Sequence, residues 1–281
     1  METLVDPALS RAPLVRTAIL LLALVAGACG RGDRTGTRAA ARSPATPIDT
    51  PRTDVIGAPP SQTHAPYRVV SVTGSGSVAG RVVMQGAPPA DSVVVATLDQ
   101  VVCGDRSMVA AVDRNGSALE NVIVWLEDAR SGKPLPFTRR YTLTQERCQL
   151  DPPVQAMVVA GTLNVNNADR TAHGTRFLRA GSGATIAVVH ETDAGQTVPV
   201  EKVLLEAGRV EVRCDNHPWT RAWLQVFDHP YFGSTDEQGR FALDSIPPGS
   251  YRLMAWQPRL GTREQRVTVT ANGRATADFI F

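Results

Sequence analysis

The chain has 281 residues, and 29 Lys+Arg against 27 Asp+Glu leave a net charge of +2. So even a balance argues against a nucleic-acid partner, which needs a basic face. Apolar residues make up 43%, enough to bury a core and too many for a wholly disordered chain. Only Lys133 and Lys202 are lysines. Schiff-base or lysine-base chemistry therefore has few candidates, because arginine does not readily release its proton.

In chain order, Arg11 and Arg16 come first, then an apolar run over 17–28 that ends Ala26-Gly27-Ala28-Cys29. The run is too short to cross a bilayer as a helix. A basic start, a short apolar stretch and small closing residues form the pattern of a secretory signal. The ending resembles a bacterial lipobox, with Ala26 where the consensus prefers Leu. That resemblance implies a signal peptide over 1–28 and a lipidated Cys29 that anchors the chain to a membrane of the cell envelope. Gly30 stands where inner-membrane lipoproteins carry Asp, which directs the expectation to the outer membrane. An ordinary cleaved signal with a chance cysteine is the plainer alternative. Residues 29–66 are rich in Pro, Arg, Ala and Thr and almost free of large apolar residues, which reads as a disordered tether.

From Tyr67 onward, short apolar-rich runs are separated by Gly, Pro, Asn and Asp. Strands are predicted over 67–72, 77–84, 92–98, 121–127, 154–160, 162–166, 184–190, 200–206, 209–214, 221–227, 240–243, 251–256, 265–270 and 275–281. Many short strands with turn signals, no long helical period and no fixed repeat predict an all-β fold of sandwich type. In the last part Thr235-Asp236 leads to Gly239 and Phe241, then Pro247-Pro248-Gly249 to Tyr251 and Leu253. Gly239 and the Pro-Pro-Gly suit tight turns. This order resembles the carboxypeptidase regulatory-like domain, a small transthyretin-like β-sandwich. The run Gly76-Ser-Val-Ala-Gly-Arg-Val-Val83 resembles that family's first strand. Two layouts follow. In tandem, a domain over 67–232 precedes a regulatory-like segment over 233–281; otherwise 76–98 completes that segment and the rest is inserted. The tandem layout is the expectation.

With Cys29 taken by lipid, Cys103, Cys148 and Cys214 remain, and an odd thiol in an oxidising compartment is unusual. The count closes if Cys103 and Cys148 pair and Cys214 holds a metal. A pairing of Cys214 with either of the others, or an inert buried Cys214, satisfies the sequence equally. Cys214 lies in Val212-Arg-Cys214-Asp-Asn-His217-Pro-Trp219-Thr220, where a strand gives way to turn residues. A Cys and a His three apart on one turn can face one ion, and thiolate with imidazole suits copper or zinc. His173, on a polar turn in Asn167-Ala-Asp169-Arg-Thr-Ala-His173, is the best third ligand.

N-x-D-x-x-x-H followed by C-x-x-H resembles the cupredoxins, the plastocyanin-like blue-copper proteins. The longer order of Cys214, His217, Trp219, His229-Pro-Tyr-Phe232, Thr235-Asp236, Gly239, Phe241, Pro248-Gly249, Tyr251 and Trp256 is similar to periplasmic plastocyanin-like proteins that end in a regulatory-like segment. The resemblance implies a Greek-key cupredoxin sandwich with one copper held by His173, Cys214 and His217. It also implies single-electron transfer to a redox partner protein. Two positions depart from it. Thr220 stands at the axial place of the family's Met, and Gln257 replaces a later His. The three strong ligands remain, since the axial Met bond is long and weak.

His64 in the tether, His190 at a strand end and His229 in a turn are read as solvated or structural. Trp219, Trp223, Tyr231, Phe232 and Trp256 are read first as packing. No nucleophile elbow, zincin motif or phosphate-binding glycine loop is present, and an electron carrier turns over no substrate, so no enzyme is expected. Two rivals stand beside the copper carrier. One is a non-catalytic sandwich that binds a cell-surface glycan or protein, with Trp219 and Trp223 as its first test positions. The other is copper or zinc storage without redox work.

Overall fold

Alternation along the chain sets the strands. In Thr162–Asn167, Leu163, Val165 and Asn167 are buried while their neighbours are half-exposed. In Arg240–Ile246, Phe241 and Leu243 point inward between exposed neighbours. That is the period-two pattern of a half-buried sheet. The computed structural model describes residues 66–281. The signal segment 1–28, Cys29 and all of the predicted tether except Pro66 lie outside the described residues. Those described are all-β, and their helical pieces are one turn at Gln100–Cys103 and a 3-10 turn at Lys202–Leu204.

Two sandwiches result. In the first, one sheet runs Gln149–Asp151, Arg140–Glu146, Thr162–Asn167, Thr197–Pro199. The other runs Val154–Val158, Arg221–Phe227, Gly208–Cys214, His173–Arg179, Thr185–Glu191. Leu143, Leu163, Val165, Phe177, Val212 and Leu224 fill the space between them. Each such side chain contributes roughly 1.5–3 kcal/mol when fully removed from water.

The second sandwich pairs Phe232–Ser234, Ile123–Leu126, Gly249–Gln257 and Gly261–Val269 in one sheet. In the other, Gly76–Val83 is central. It lies antiparallel to Arg240–Ile246 and parallel to Arg274–Thr276 and Phe279–Ile280. Val78, Val82, Val124, Leu126, Leu243 and Leu253 are among its core residues. Gly239 makes the hairpin turn at φ +70°, and a Cβ there would lie 2.5 Å from the Val82 carbonyl oxygen. Only glycine fits such a position without strain.

These pairings divide the chain differently from the expected boundary between 67–232 and 233–281. The strands Gly76–Val83 and Ile123–Leu126 belong with the last fifty or so residues, and the site-bearing sandwich is inserted between Leu126 and Phe232 in sequence. The physical reason is edge satisfaction. Ile123–Leu126 is wholly apolar and Gly76–Val83 largely so, and apart from one pairing of Val83 with Ala118 their ladder partners lie in the strands from Phe232 onward. Residues 92–98 do not join that sandwich. Ser92–Val95 pairs only with Arg106–Val109, as a separate hairpin. The predicted strand over 200–206 is the 3-10 turn, with the adjacent Val203 and Leu204 both buried. Two consecutive buried residues fit a turn and break a strand's alternation.

An aromatic seam joins the two sandwiches. Trp125 packs on Phe227 at 5.8 Å, Phe227 stacks on Phe232 at 4.5 Å, and Trp223 meets Trp256 edge-on at 6.0 Å. The guanidinium of Arg209 lies 3.8 Å over the Trp256 ring, within cation–π range.

Candidate metal centre

Strand register places the three predicted ligands together. His173 opens the strand His173–Arg179, where sequence alone placed a turn, and Cys214 closes the antiparallel neighbour, with Thr175 opposite Cys214. Side chains two apart on a strand share a face, so His173 and Thr175 both point into the sandwich. After Cys214 the chain turns back on itself. The Asp215 amide donates to the Gly174 carbonyl at 2.8 Å, and the Thr220 amide donates to the His217 carbonyl at 2.9 Å. That turn returns His217 beside Cys214.

The donors converge closely. His173 Nδ1 and His217 Nδ1 are 3.1 Å apart, and the Cys214 sulfur lies 3.6 Å from the first and 3.5 Å from the second. All three side chains are buried. A point equidistant from the three atoms lies about 2 Å from each, close to the length of a metal–imidazole bond and a little short for a metal–thiolate bond. Three lone-pair donors facing one point need a proton or a cation between them. The donor set therefore fits a copper-sized ion.

The outer nitrogens fix the orientation. His173 Nε2 meets Asp169 Oδ2 at 2.9 Å, and His217 Nε2 meets Asp99 Oδ2 at 3.2 Å. A carboxylate that accepts the Nε2–H leaves the Nδ1 lone pair free and aimed inward, the usual support of a metal-binding imidazole. Asp169 is itself held, accepting the amides of Arg147 at 2.6 Å and Cys148 at 2.8 Å. Its own amide donates to Asn167 Oδ1 at 2.8 Å. The Thr171 hydroxyl and then His217 hold the Asp99 carboxyl below its ordinary range. Burial lowers the pKa of His173, opposed by Asp169, which keeps the ring neutral and ready to bind. Burial pushes the Cys214 thiol up, opposed by backbone hydrogen bonds at Gly174, His217 and Asn216. A cation beside the sulfur would offset that cost.

Cys103 and Cys148 form a disulfide, and Cys214 is free and buried. The bridge lies against the centre, since both of its sulfurs come within 4.8 Å of a His217 nitrogen. Thr220, at the predicted axial place, is fully buried and donates its hydroxyl to the Cys148 carbonyl. It thereby ties the site loop to the disulfide. Trp219 packs on the disulfide, and its ring lies 5.2 Å from that of His217.

Below the centre runs a buried polar chain. Gln145 Nε2 donates to Thr175 Oγ1 at 3.1 Å, and that hydroxyl donates to Glu191 Oε2 at 3.2 Å. Glu191 Oε1 and Gln145 Oε1 have no partner among the described residues, and burial pushes the Glu191 carboxyl up to about 7.

The remaining histidines stand apart. His190 is exposed on its strand, and His64 lies outside the described residues. His229 is buried, accepts the Tyr231 amide at 3.1 Å and packs on Phe227. Asp99, Gln145, Thr175 and Glu191 are site residues that sequence reasoning missed. Asp99 lies 118 positions from His217, and no local pattern links them.

Residues 216–277 match the family described as polysaccharide lyase family 4, domain II. No curated protein matches the chain in sequence. Among solved structures, similar chains include a purple cupredoxin from Nitrosopumilus maritimus, at 18% identity over 31% of this chain and 99% of that one, with a TM-score of 0.27. A reduced amicyanin variant matches at 18% identity over 31% of this chain and 82% of its own, with a TM-score of 0.27. The copper-containing nitrite reductase of Thermus scotoductus SA-01 matches at 16% identity over 52% of this chain and 28% of its own, with a TM-score of 0.28. At such TM-scores the likeness carries no weight for the site, whose reading rests on its own donors.

Proposed function

We propose that the chain is a copper-binding protein of the cell envelope that carries single electrons to or from a redox partner protein. One observation carries the reading. A sulfur and two Nδ1 atoms, each buried, surround a point about 2 Å from all three, the trigonal His2Cys set of electron-transfer copper sites. A structural zinc site would ask for a fourth strong ligand in a tetrahedral array. Thr220, at the axial place the resemblance implies, offers a hard hydroxyl already engaged with the Cys148 carbonyl.

When bound, copper supplies a one-electron couple; the protein supplies rigidity. His173 and Cys214 sit on paired strands, and the His217 turn is closed by two backbone hydrogen bonds. Asp169 and Asp99 hold the outer nitrogens. Ligands fixed in this way move little between oxidation states, which keeps the reorganisation cost of electron transfer low. The reading involves no substrate turnover. Export and a lipid anchor at Cys29 belong to the same proposal and rest on the residues from Arg11 to Cys29.

The test is titration of the purified chain with Cu(II), watched in the visible spectrum. One equivalent should bring up an intense thiolate-to-copper band, absent in Cys214→Ser. A chain that takes up no copper, or a spectrum that Cys214→Ser leaves unchanged, removes the reading.

A further inference from the structure

Beside the metal centre, with Trp219 packed between the two, lies a cleft of about 320 Å³. The hairpin of Ser92–Val95 and Arg106–Val109 forms one wall. Trp219, Trp223, Pro153, Pro218, Gln257 and Arg259 are among the rest of its lining. The volume is that of a site for a small ligand.

The polar groups there are nearly all donors. The indole N–H groups of Trp219 and Trp223 have no acceptor among the described residues. Gln257 Oε1 accepts the amides of Arg259 at 2.6 Å and Leu260 at 3.0 Å, which leaves its Nε2 as the free end. Arg259 is exposed and makes no ion pair among the described residues. Arg221 also lines the cleft, loosely paired with Glu211 at 3.4 Å. The single carboxylate of the lining, Asp113, already accepts Asn121 Nδ2 at 2.9 Å.

Such a lining selects a ligand rich in acceptors, negatively charged, and flat enough on one face to lie against indole rings. We propose that this cleft binds an acidic sugar, a pyranose ring bearing a carboxylate. The ring lies on the tryptophans, the carboxylate meets Arg259, and the hydroxyl oxygens accept from Gln257 and the indoles. An aromatic acid offers the same face and charge. It would satisfy one or two donors and leave the others unmatched, which is costly where they are desolvated. The site uses none of the three metal donors, so sugar binding can be read on the metal-free chain whatever the outcome of the copper titration.

The test uses the full chain, free of metal, and reads tryptophan fluorescence and calorimetric heat. The probes are a uronic-acid trisaccharide, the neutral trisaccharide of the same linkage, and benzoate. The acidic trisaccharide should saturate the signal and bind at least tenfold more tightly than either other probe. Arg259→Gln, at an exposed position, should bring the acidic and neutral sugars to the same affinity with an unchanged melting temperature. Absence of a saturable response to the acidic trisaccharide overturns the proposal. So does equal binding of the neutral sugar or of benzoate by the parent, or charge discrimination that survives Arg259→Gln.

Discussion

Glu191 and His229 are buried groups that titrate in opposite senses. Burial holds Glu191 neutral, with its pKa raised to about 7, and holds His229 neutral, with its pKa lowered to about 4. For Glu191 the folded state binds its proton more tightly than the unfolded one. Its stabilising share is full below the unfolded carboxyl value and is lost as pH rises toward 7. For His229 the unfolded state takes the proton first, so stability drains as pH falls from the ordinary imidazole value to about 4. Each shift corresponds to about 3 kcal/mol. Glu191→Gln should therefore raise the melting temperature at pH 8 and change it little at pH 4. His229→Asn, which keeps an acceptor for the Tyr231 amide, should flatten the acid limb instead. Thermal scans across pH 4–8 check both. At this scale the ligands were legible in the sequence, because Cys214 and His217 share one turn and His173 follows a recognisable Asn–Asp run. Asp99 and Glu191 were not legible: Asp99 lies 118 positions from His217 on a turn outside the strands, and Glu191 comes opposite His173 only through the register of the two paired strands.

At the scale of elements, the site itself hid some of the strands. Arg140–Glu146 and His173–Arg179 lack apolar alternation because their inward faces carry Gln145, His173 and Thr175 toward the metal centre. Strands without a polar task, such as Arg221–Phe227, match their predicted span. The hairpin from Ser92 to Val109 pairs with no sheet. It is held to the body through the Cys103–Cys148 bridge and through Asp99, which contacts both His217 and Thr171. The bridge thus couples the supports of both imidazoles: Asp99 precedes the turn ending in Cys103, and Asp169 accepts the Cys148 amide. Its chain closure, over a separation of 45 residues, contributes about 4 kcal/mol through the unfolded state. Cys103→Ser/Cys148→Ser should lower stability by that order and weaken copper binding about 10- to 100-fold, although no ligand is altered. Competition with a copper chelator measures the loss. Unchanged affinity would show that the hairpin does not position the imidazoles.

At the scale of the whole molecule, the described residues are interleaved, and early strands pair with the last ones. Gly76–Val83 has one antiparallel neighbour and two parallel ones from the last part of the chain, and Ile123–Leu126 pairs with Gly249–Gln257. Removing 233–281 would strip both strands of most of their partners and expose Val78, Val82, Val124 and Leu126, all fully buried in the intact chain. It would also take Trp256 from Trp223 and Arg209, so the loss reaches the sheet that carries Cys214. Under a tandem arrangement, residues 67–232 alone would fold and bind copper as the whole chain does. The interleaved arrangement predicts the reverse: no cooperative thermal transition and no stoichiometric uptake. Trp256→Ala gives a finer reading of the same coupling. Truncating a buried tryptophan at the seam should cost roughly 3–5 kcal/mol, and both sandwiches should still melt in one transition, shifted down together. Two transitions, with only the C-terminal one displaced, would mean that the aromatic seam packs the two halves without coupling their folding.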